Sequence, residues 1–302
     1  MQQGTRGPTE SSSSHGFAAG FFVPPGTPSK VEFAAATHVG RVRSTNEDHF
    51  AIFHRVRSQE ILLTNLQQGE TRSSTEEGYF FVVADGMGGA AAGETASRVA
   101  IQRAFELTDQ ASSWVMRLSS LAAQQVQKRI NAYVTEVDRT LREMGEADSD
   151  LAGMGTTWTS IYLVGWNAIV VQIGDSRAYL WREGELKQIT RDQTLAQVLI
   201  DSGVPPEDTT RVRHILTNSL GGQEKVVTPI VGHLVLQDAD RLMLCTDGLT
   251  DLISDEDLAE QLDQPSSLQA TCDALVQLAL ERGGKDNVTV VLAELSEGAA
   301  SG

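Results

Sequence analysis

Residues 79–86 read YFFVVADG, a run of strand-forming apolar residues that ends in an aspartate and a glycine. Residues 170–175 (VVQIGD) and 242–248 (LMLCTDG) also place an aspartate directly after an apolar run. After a single strand such an ending is usually only a turn, because Asp bonds its own backbone and Gly accepts positive φ. Three such endings, each on a strand apolar enough for a core, predict that the three aspartates converge at one sheet edge.

The chain on both sides of these runs predicts further strands and several helices. Short apolar or alternating segments between turn residues predict strands, and apolar residues three and four apart predict helices. Strands joined by connections as short as Gly165 or Glu183-Gly184 must run antiparallel. Helices in pairs between such strands indicate an α+β domain in which helices cover sheets. The predicted strands are residues 31–36, 48–56, 79–84, 155–164, 166–173, 179–181, 186–189, 228–236, 241–246 and 288–295, and the main predicted helices are residues 93–107, 112–144, 255–262 and 267–281.

The ends of the chain and one internal segment differ in character from this domain. Residues 1–30 are predicted to be a flexible tail, because they have too few periodic apolar positions to fold alone. Residues 31–296 are predicted to form one domain, with a second flexible tail at residues 297–302. Residues 57–78 form an excursion from a hairpin. Their apolar patch at residues 61–63 is either a partner site or a flap packed on the domain, and we expect the flap.

Composition excludes several classes of protein. The formal net charge of -16 argues against a nucleic-acid partner, because affinity for a polyanion comes mostly from Lys and Arg. The two cysteines, Cys245 and Cys272, lack the spacing of a zinc site or a disulfide framework, which favours a reducing compartment. No apolar run approaches the roughly 20 residues of a membrane span, and the first residues do not resemble a secretory signal. We therefore expect a cytoplasmic protein with no membrane partner.

Two further acidic segments add to the three aspartates. Residues 41–48 carry Arg43 and Asn46-Glu47-Asp48 at the mouth of a strand, and residues 283–287 read GGKDN between a helix and a strand. Gathered carboxylates repel one another unless a cation neutralises them, and oxygen ligands without Cys or clustered His select magnesium or manganese. Two such ions about 3.5–4 Å apart can orient a hydroxide for attack on phosphorus. A nearby arginine can grip two phosphoryl oxygens through its fork.

These motifs, taken together and in order, resemble the metal-dependent protein phosphatase family (PPM, type 2C) in its bacterial form. The matching segments span residues 31–295 and are RxxNED (43–48), VADGMGG (83–89), GTT (155–157), IGDSR (173–177), CTDGL (245–249) and GKDN (284–287). The resemblance implies a four-layer α-β-β-α sandwich with two central antiparallel sheets. It also implies a signalling enzyme that hydrolyses phosphoserine and phosphothreonine by attack of a metal-bridging hydroxide. The expected partners are phosphorylated proteins, the substrates of a serine/threonine kinase.

The resemblance also implies a role for each matching residue, with two Mn²⁺ or Mg²⁺ ions in the core site. Asp85 would bridge both ions, and Arg43 would bind the phosphate. The Gly86 carbonyl and Glu47 would complete one ion, and Asp247 and Asp286 the other. Asp48 would stand behind these ligands, and Asp175 would join Asp247 in holding a third, weaker ion.

The chain departs from some eukaryotic members of the family at Met87, where they carry a histidine thought to protonate the leaving group. The resemblance to bacterial members instead implies a metal-bound water as the acid. His49 is expected to point away from Asp48 by strand alternation, and His214 is expected to have a surface role. Two other functions stay open: a silent binding module, disfavoured because every ligand position is still acidic, and a two-metal hydrolase of a small phosphorylated molecule.

Overall fold

The structure is a computed structural model that describes residues 30–65, 67, 74–88, 92–110, 123–222 and 226–297. Apart from Lys30 and Glu297, the two predicted tails lie outside these residues. So do residues 112–122, the first part of the second predicted helix. The strands of the described chain are β1 (Lys30–His38), β2 (Asp48–Gln59), β3 (Ser74–Met87), β4 (Gly155–Thr156), β5 (Trp158–Val164), β6 (Asn167–Ile173), β7 (Arg177–Arg182), β8 (Glu185–Gln188), β9 (Ile230–Val235), β10 (Arg241–Cys245) and β11 (Val288–Ser296). Its α-helices are α1 (Ala92–Gln110), α2 (Ala123–Ala147), α3 (Leu195–Asp201), α4 (Asp247–Thr250), α5 (Asp255–Asp263) and α6 (Leu268–Glu281).

The strands form two antiparallel sheets. One sheet has the strand order β1-β11-β10-β7-β8, and the other has the order β2-β3-β5-β6-β9, with the short β4 paired to β3. Neighbours in sequence pair across tight turns, as β7 and β8 do at Glu183 and Gly184, which both have positive φ. This confirms the antiparallel pairing that the sequence predicts.

Three apolar layers hold the sheets and helices together, in the four-layer α-β-β-α order that the family resemblance implies. On β3, Phe81 and Val83 face the other sheet, while Val82 and Ala84 face α1 and α2. Burial of both faces explains why this strand is continuously apolar rather than alternating. On the opposite side, α5 and α6 cover the five-stranded sheet. Representative buried side chains of the three layers are Phe81, Ile161, Leu244 and Val291 between the sheets, Ala96, Val137 and Leu141 under α1 and α2, and Met243, Leu258 and Leu275 under α5 and α6.

The hairpin of β2 and β3 is longer than predicted. Its pairing runs from Asp48 opposite Asp85 to Gln59 opposite Ser74, so residues 57–59 and 74–78 of the predicted excursion are strand. The expectation that the apolar patch packs on the domain is wrong for Leu62 and Leu63, which are 85% and 95% exposed. The physical reason is that β5 pairs with β3 only as far as Tyr79, so the hairpin continues past its neighbour.

No helix in the described ranges is both long and apolar enough to cross a membrane.

Candidate metal centre

The three aspartates that follow apolar strands meet at one end of the sandwich. β3 and β6 both run antiparallel to β5, so their carboxyl ends reach the same edge of the six-stranded sheet. β10 ends at the same end of the molecule but belongs to the other sheet. The aspartates therefore converge, but the prediction that they share a single sheet edge is wrong. Asp85 and Asp175 come from the six-stranded sheet, and Asp247 comes from the five-stranded sheet stacked on it. The carboxylates lie close enough that Asp175 and Asp247 both raise the pKa of Asp85, and Asp247 raises that of Asp175.

Asp85 is held in place by the two threonines of the GTT motif. Its backbone N–H donates to Thr157 Oγ1 at 2.9 Å, and its carbonyl accepts from Thr156 Oγ1 at 2.8 Å. Thr157 Oγ1 also lies 2.7 Å from the hydroxyl of Ser176, the residue that follows Asp175. These bonds tie the ends of β3 and β6 together. The sequence shows the GTT motif but does not predict this role for its hydroxyls.

Gly86 brings the backbone of β3 against the segment that carries Glu47. Its N–H donates to the Glu47 carbonyl at 3.2 Å. A Cβ at this position would lie 2.1 Å from the Gly93 carbonyl oxygen, so no other residue fits without moving backbone. Burial is the largest cause that raises the pKa of Glu47, and the Arg43 charge opposes it.

Asp48, the first residue of β2, is almost fully buried. Its Oδ2 accepts from Thr246 Oγ1 at 2.8 Å and from Thr289 Oγ1 at 2.7 Å. Its Oδ1 is buried and has no hydrogen-bond partner among the described residues. Burial raises the pKa of Asp48 to about 7, and the charges of Asp247 and Asp286 add to this effect.

Asp247 and Asp286 approach from the five-stranded sheet and its neighbouring turn. Asp247 is the first residue of α4, and Asp286 precedes β11. Burial, with the neighbouring carboxylates Asp251 and Asp286, raises the pKa of Asp247 to about 6. Asp286 Oδ2 accepts a hydrogen bond of 2.7 Å from the Arg43 guanidinium. The candidate phosphate-binding residue therefore touches a candidate metal ligand.

The chemistry of this donor set fits a hard divalent cation. Its side-chain donors are all carboxylates. Burial and the charges of the neighbouring carboxylates raise the pKa of Asp85 well above its usual range. Such a cluster stays ionised most readily with a cation beside it, and oxygen-only sites favour Mg²⁺ or Mn²⁺. Within the described part of the chain, no three acidic, histidine or cysteine side chains already form a group that could hold an ion.

A pocket of about 170 Å³ adjoins this cluster on the side of α3 and α4. Asp175 and Asp247 line it, together with Asp251, Arg213 and His214. His214 is exposed, as expected. Arg177 also lines the pocket and donates hydrogen bonds of 2.9 and 2.7 Å to Asp192. This pair ties β7 to residues 192–214, the segment that forms the pocket wall. The sequence does not predict this pair, although Arg177 belongs to the IGDSR motif.

The remaining sequence expectations concern residues close to the site. His49 points away from Asp48, as predicted, since its Nδ1 lies 2.9 Å from the Ser97 hydroxyl on α1. Cys245 is fully buried, and burial raises the pKa of its thiol to about 12, which fits a core residue rather than a nucleophile. Met87 is half-buried and has no proton to transfer.

The chain is similar to known proteins in sequence and in fold. Residues 67–282 match a sequence model described as protein phosphatase 2C. This range leaves out Arg43, Glu47, Asp48 and Asp286, so their assignment depends on the motifs and on the contacts above.

Two curated relatives and one solved structure illustrate the similarity. The serine/threonine protein phosphatase PstP of Mycobacterium tuberculosis is 38% identical over 236 residues, 76% of this chain but 43% of the relative, so the chain spans less than half of its length. The serine/threonine phosphatase stp of Listeria welshimeri is 31% identical over 263 residues, which cover 85% of this chain and 93% of the relative. The catalytic domain of PstP, solved in complex with two manganese ions, is 34% identical, with a TM-score of 0.67 over 88% of this chain and 99% of its own. The chain belongs to the protein phosphatase 2C family.

Proposed function

We propose that this chain is a metal-dependent protein serine/threonine phosphatase that hydrolyses phosphoserine and phosphothreonine. The observation that carries the proposal is the convergence of Asp85, Asp247 and Asp286 from two sheets, with Arg43 bonded to the last of them at 2.7 Å. The solved relative with two manganese ions supports a two-ion site. Two such ions, when bound, would supply a bridging hydroxide for in-line attack on phosphorus.

Each residue of the proposed centre would have a separate role. Asp85 would be shared by both ions, with Glu47 and the Gly86 carbonyl on one side and Asp247 and Asp286 on the other. Arg43, whose side chain is 54% exposed, is accessible to a phosphoryl group and would hold two of its oxygens. The hydroxyls of Thr246 and Thr289 fix Asp48 behind these ligands. Asp175, beside Asp247 in the pocket, would hold a third and weaker ion.

The substrates would be phosphorylated proteins produced by a serine/threonine kinase, in a cytoplasmic signalling role. The names of the relatives support protein substrates, and the acidic composition supports the exclusion of nucleic acid. A two-metal hydrolase of a small phosphorylated molecule is the second candidate, because the same carboxylates would serve it.

One assay separates these functions. Phosphate release is measured from a phosphothreonine peptide and from an aryl phosphate, with Mn²⁺ and with chelator. We expect metal-dependent release from both substrates, and loss of most activity in Asp247→Asn. The matched control is Asp263→Asn, the same substitution at an exposed carboxylate at the end of α5. No turnover with Mn²⁺ or Mg²⁺ would point to a silent binding module. Turnover of the aryl phosphate alone would point to the small-molecule hydrolase.

A further inference from the structure

The connection between β1 and β2 carries two residues of the proposed centre, Arg43 and Glu47. It has no regular secondary structure over most of residues 39–47, and its outer part is exposed. It nevertheless has to hold Glu47 within reach of Asp85 and Arg43 within reach of Asp286. One backbone bond fixes its beginning, since the Arg41 N–H donates to the Gly284 carbonyl at 2.7 Å.

The side chain of Asn287, which is 4% exposed, restrains both ends of the connection. Its Oδ1 accepts a hydrogen bond of 2.8 Å from the Glu47 N–H. Its Nδ2 donates to the carbonyls of Val39 and Thr45, both at 2.9 Å. The one amide group thus bonds the entry and the exit of the connection.

Asparagine suits this position better than its closest analogues. The three bonds use one acceptor and both donors of a primary amide. Aspartate has the same shape but would place a carboxylate oxygen against two carbonyl oxygens. Alanine and serine are too short to reach both ends of the connection.

The backbone of Asn287 meets two other parts of the centre. Its N–H donates to Asp286 Oδ1 at 2.9 Å. Its carbonyl oxygen would lie 1.9 Å from a Cβ on Gly248, the residue after Asp247. These backbone contacts do not depend on the side chain. Replacing the amide therefore frees the Glu47 N–H, while the backbone contacts to Asp286 and Gly248 remain.

We propose that Asn287 is a positioning residue that sets the place of Glu47 relative to Asp286, and thereby the affinity of the ion that Glu47 helps to hold. The inference depends on the proposed two-ion function, and it adds that the two ions depend differently on Asn287. Loss of the Asn287 amide weakens one ion of the pair and spares the other.

The test is a Mn²⁺ titration by calorimetry of the full chain and of Asn287→Ala. Residues that orient metal ligands typically change metal affinity by about 10- to 100-fold when mutated. We expect a weakening of this size at one site and a change of less than about three-fold at the other. The matched control is Asn167→Ala. Asn167 is also 4% exposed, but it lies on β6 opposite Val164 and Val235, at the end of the strand away from Asp175. It should leave both sites unchanged.

A second measurement does not require metal. Amide hydrogen exchange in chelator should accelerate across residues 39–47 in Asn287→Ala and stay at the wild-type rate in Asn167→Ala. Equal weakening of both ions, unchanged Mn²⁺ binding, or unchanged exchange at residues 39–47 would each overturn the proposal. If the wild-type chain binds no Mn²⁺, the proposed function fails instead, while the exchange measurement still decides whether Asn287 fixes the connection.

Discussion

Arg43 and Asp286 stand 243 positions apart in the sequence, and the Arg43 Nη2 donates a 2.7 Å hydrogen bond to Asp286 Oδ2. Asp286 is the main cause that raises the pKa of the Arg43 guanidinium. Arg43 is therefore charged at any working pH, and it compensates part of the negative charge of the carboxylate cluster. The same contact places the guanidinium beside the position where a phosphoryl group would meet the proposed ions.

Replacing Arg43 should separate phosphate binding from metal binding. We expect Arg43→Gln to lower kcat/KM by roughly 10- to 100-fold, the range of one or two hydrogen bonds to a charged group. Mn²⁺ affinity should stay equal or increase, because a cation competing for Asp286 is removed. Steady-state kinetics and calorimetry measure the two effects. Arg41→Gln, a charge loss in the same connection, is the control. Loss of Mn²⁺ binding in Arg43→Gln would contradict the assignment of this residue to phosphate.

The cluster of carboxylates should lower the free energy of unfolding when no cation is bound beside it. Asp85 is surrounded by Asp48, Asp247, Asp175 and Asp286, which together with burial raise its pKa. We expect Asp85→Asn to unfold at a higher temperature than the wild type in chelator, by a few degrees, which corresponds to about 1 kcal/mol in a domain of this size. The variant should lose most of the stabilisation by Mn²⁺.

Thermal unfolding with and without Mn²⁺ checks this prediction, and Asp263→Asn controls for the loss of one charge. A lower unfolding temperature for Asp85→Asn in chelator would mean that the repulsion is already relieved within the protein.

The sequence predicts the strands, the antiparallel hairpins and the convergence of Asp85, Asp175 and Asp247, because these follow from short-range patterns and from the ends of apolar runs. It does not predict that the aspartates come from two sheets, since strand order depends on packing between distant segments. It also misses the role of the Asn287 amide, whose partners at Val39, Thr45 and Glu47 lie more than 200 positions away in the chain. Such contacts leave no local pattern.

The pH dependence of stability follows from the same buried carboxylates. Burial raises the pKa of Asp48 to about 7 and that of Asp247 to about 6, whereas carboxyl groups of the unfolded chain have a pKa of about 4. Between these values the folded state binds more protons than the unfolded state, so stability falls as pH rises. We expect the unfolding temperature in chelator to be higher near pH 5 than near pH 7.5. Mn²⁺ should weaken or reverse this trend, because it stabilises the ionised carboxylates. A flat profile in chelator would show that these groups are ionised throughout.

The ion pair of Arg177 and Asp192 should govern how firmly the pocket wall is attached to the sheet. Burial alone would lower the pKa of Arg177, but its bonds to Asp192 raise the pKa overall, so the charge is held by this partner. The side chains of Arg177 and Asp192 are only 26% and 17% exposed, and Asp192→Asn weakens the hydrogen bonds between them. Removing one charge of a partly buried ion pair destabilises a protein more than removing one of a surface pair. We expect the free energy of unfolding to fall by about 1–3 kcal/mol.

A looser pocket wall should affect a large substrate more than a small one. We therefore expect Asp192→Asn to raise KM for a phosphothreonine peptide several-fold while KM for an aryl phosphate changes little. Asp201→Asn is the matched control, because its partner Arg191 is 59% exposed and such surface pairs contribute about 0–1 kcal/mol. Equal changes in KM for both substrates would show that the wall acts on the phosphate site itself. Unchanged stability and unchanged KM would show that the pair does not hold the wall.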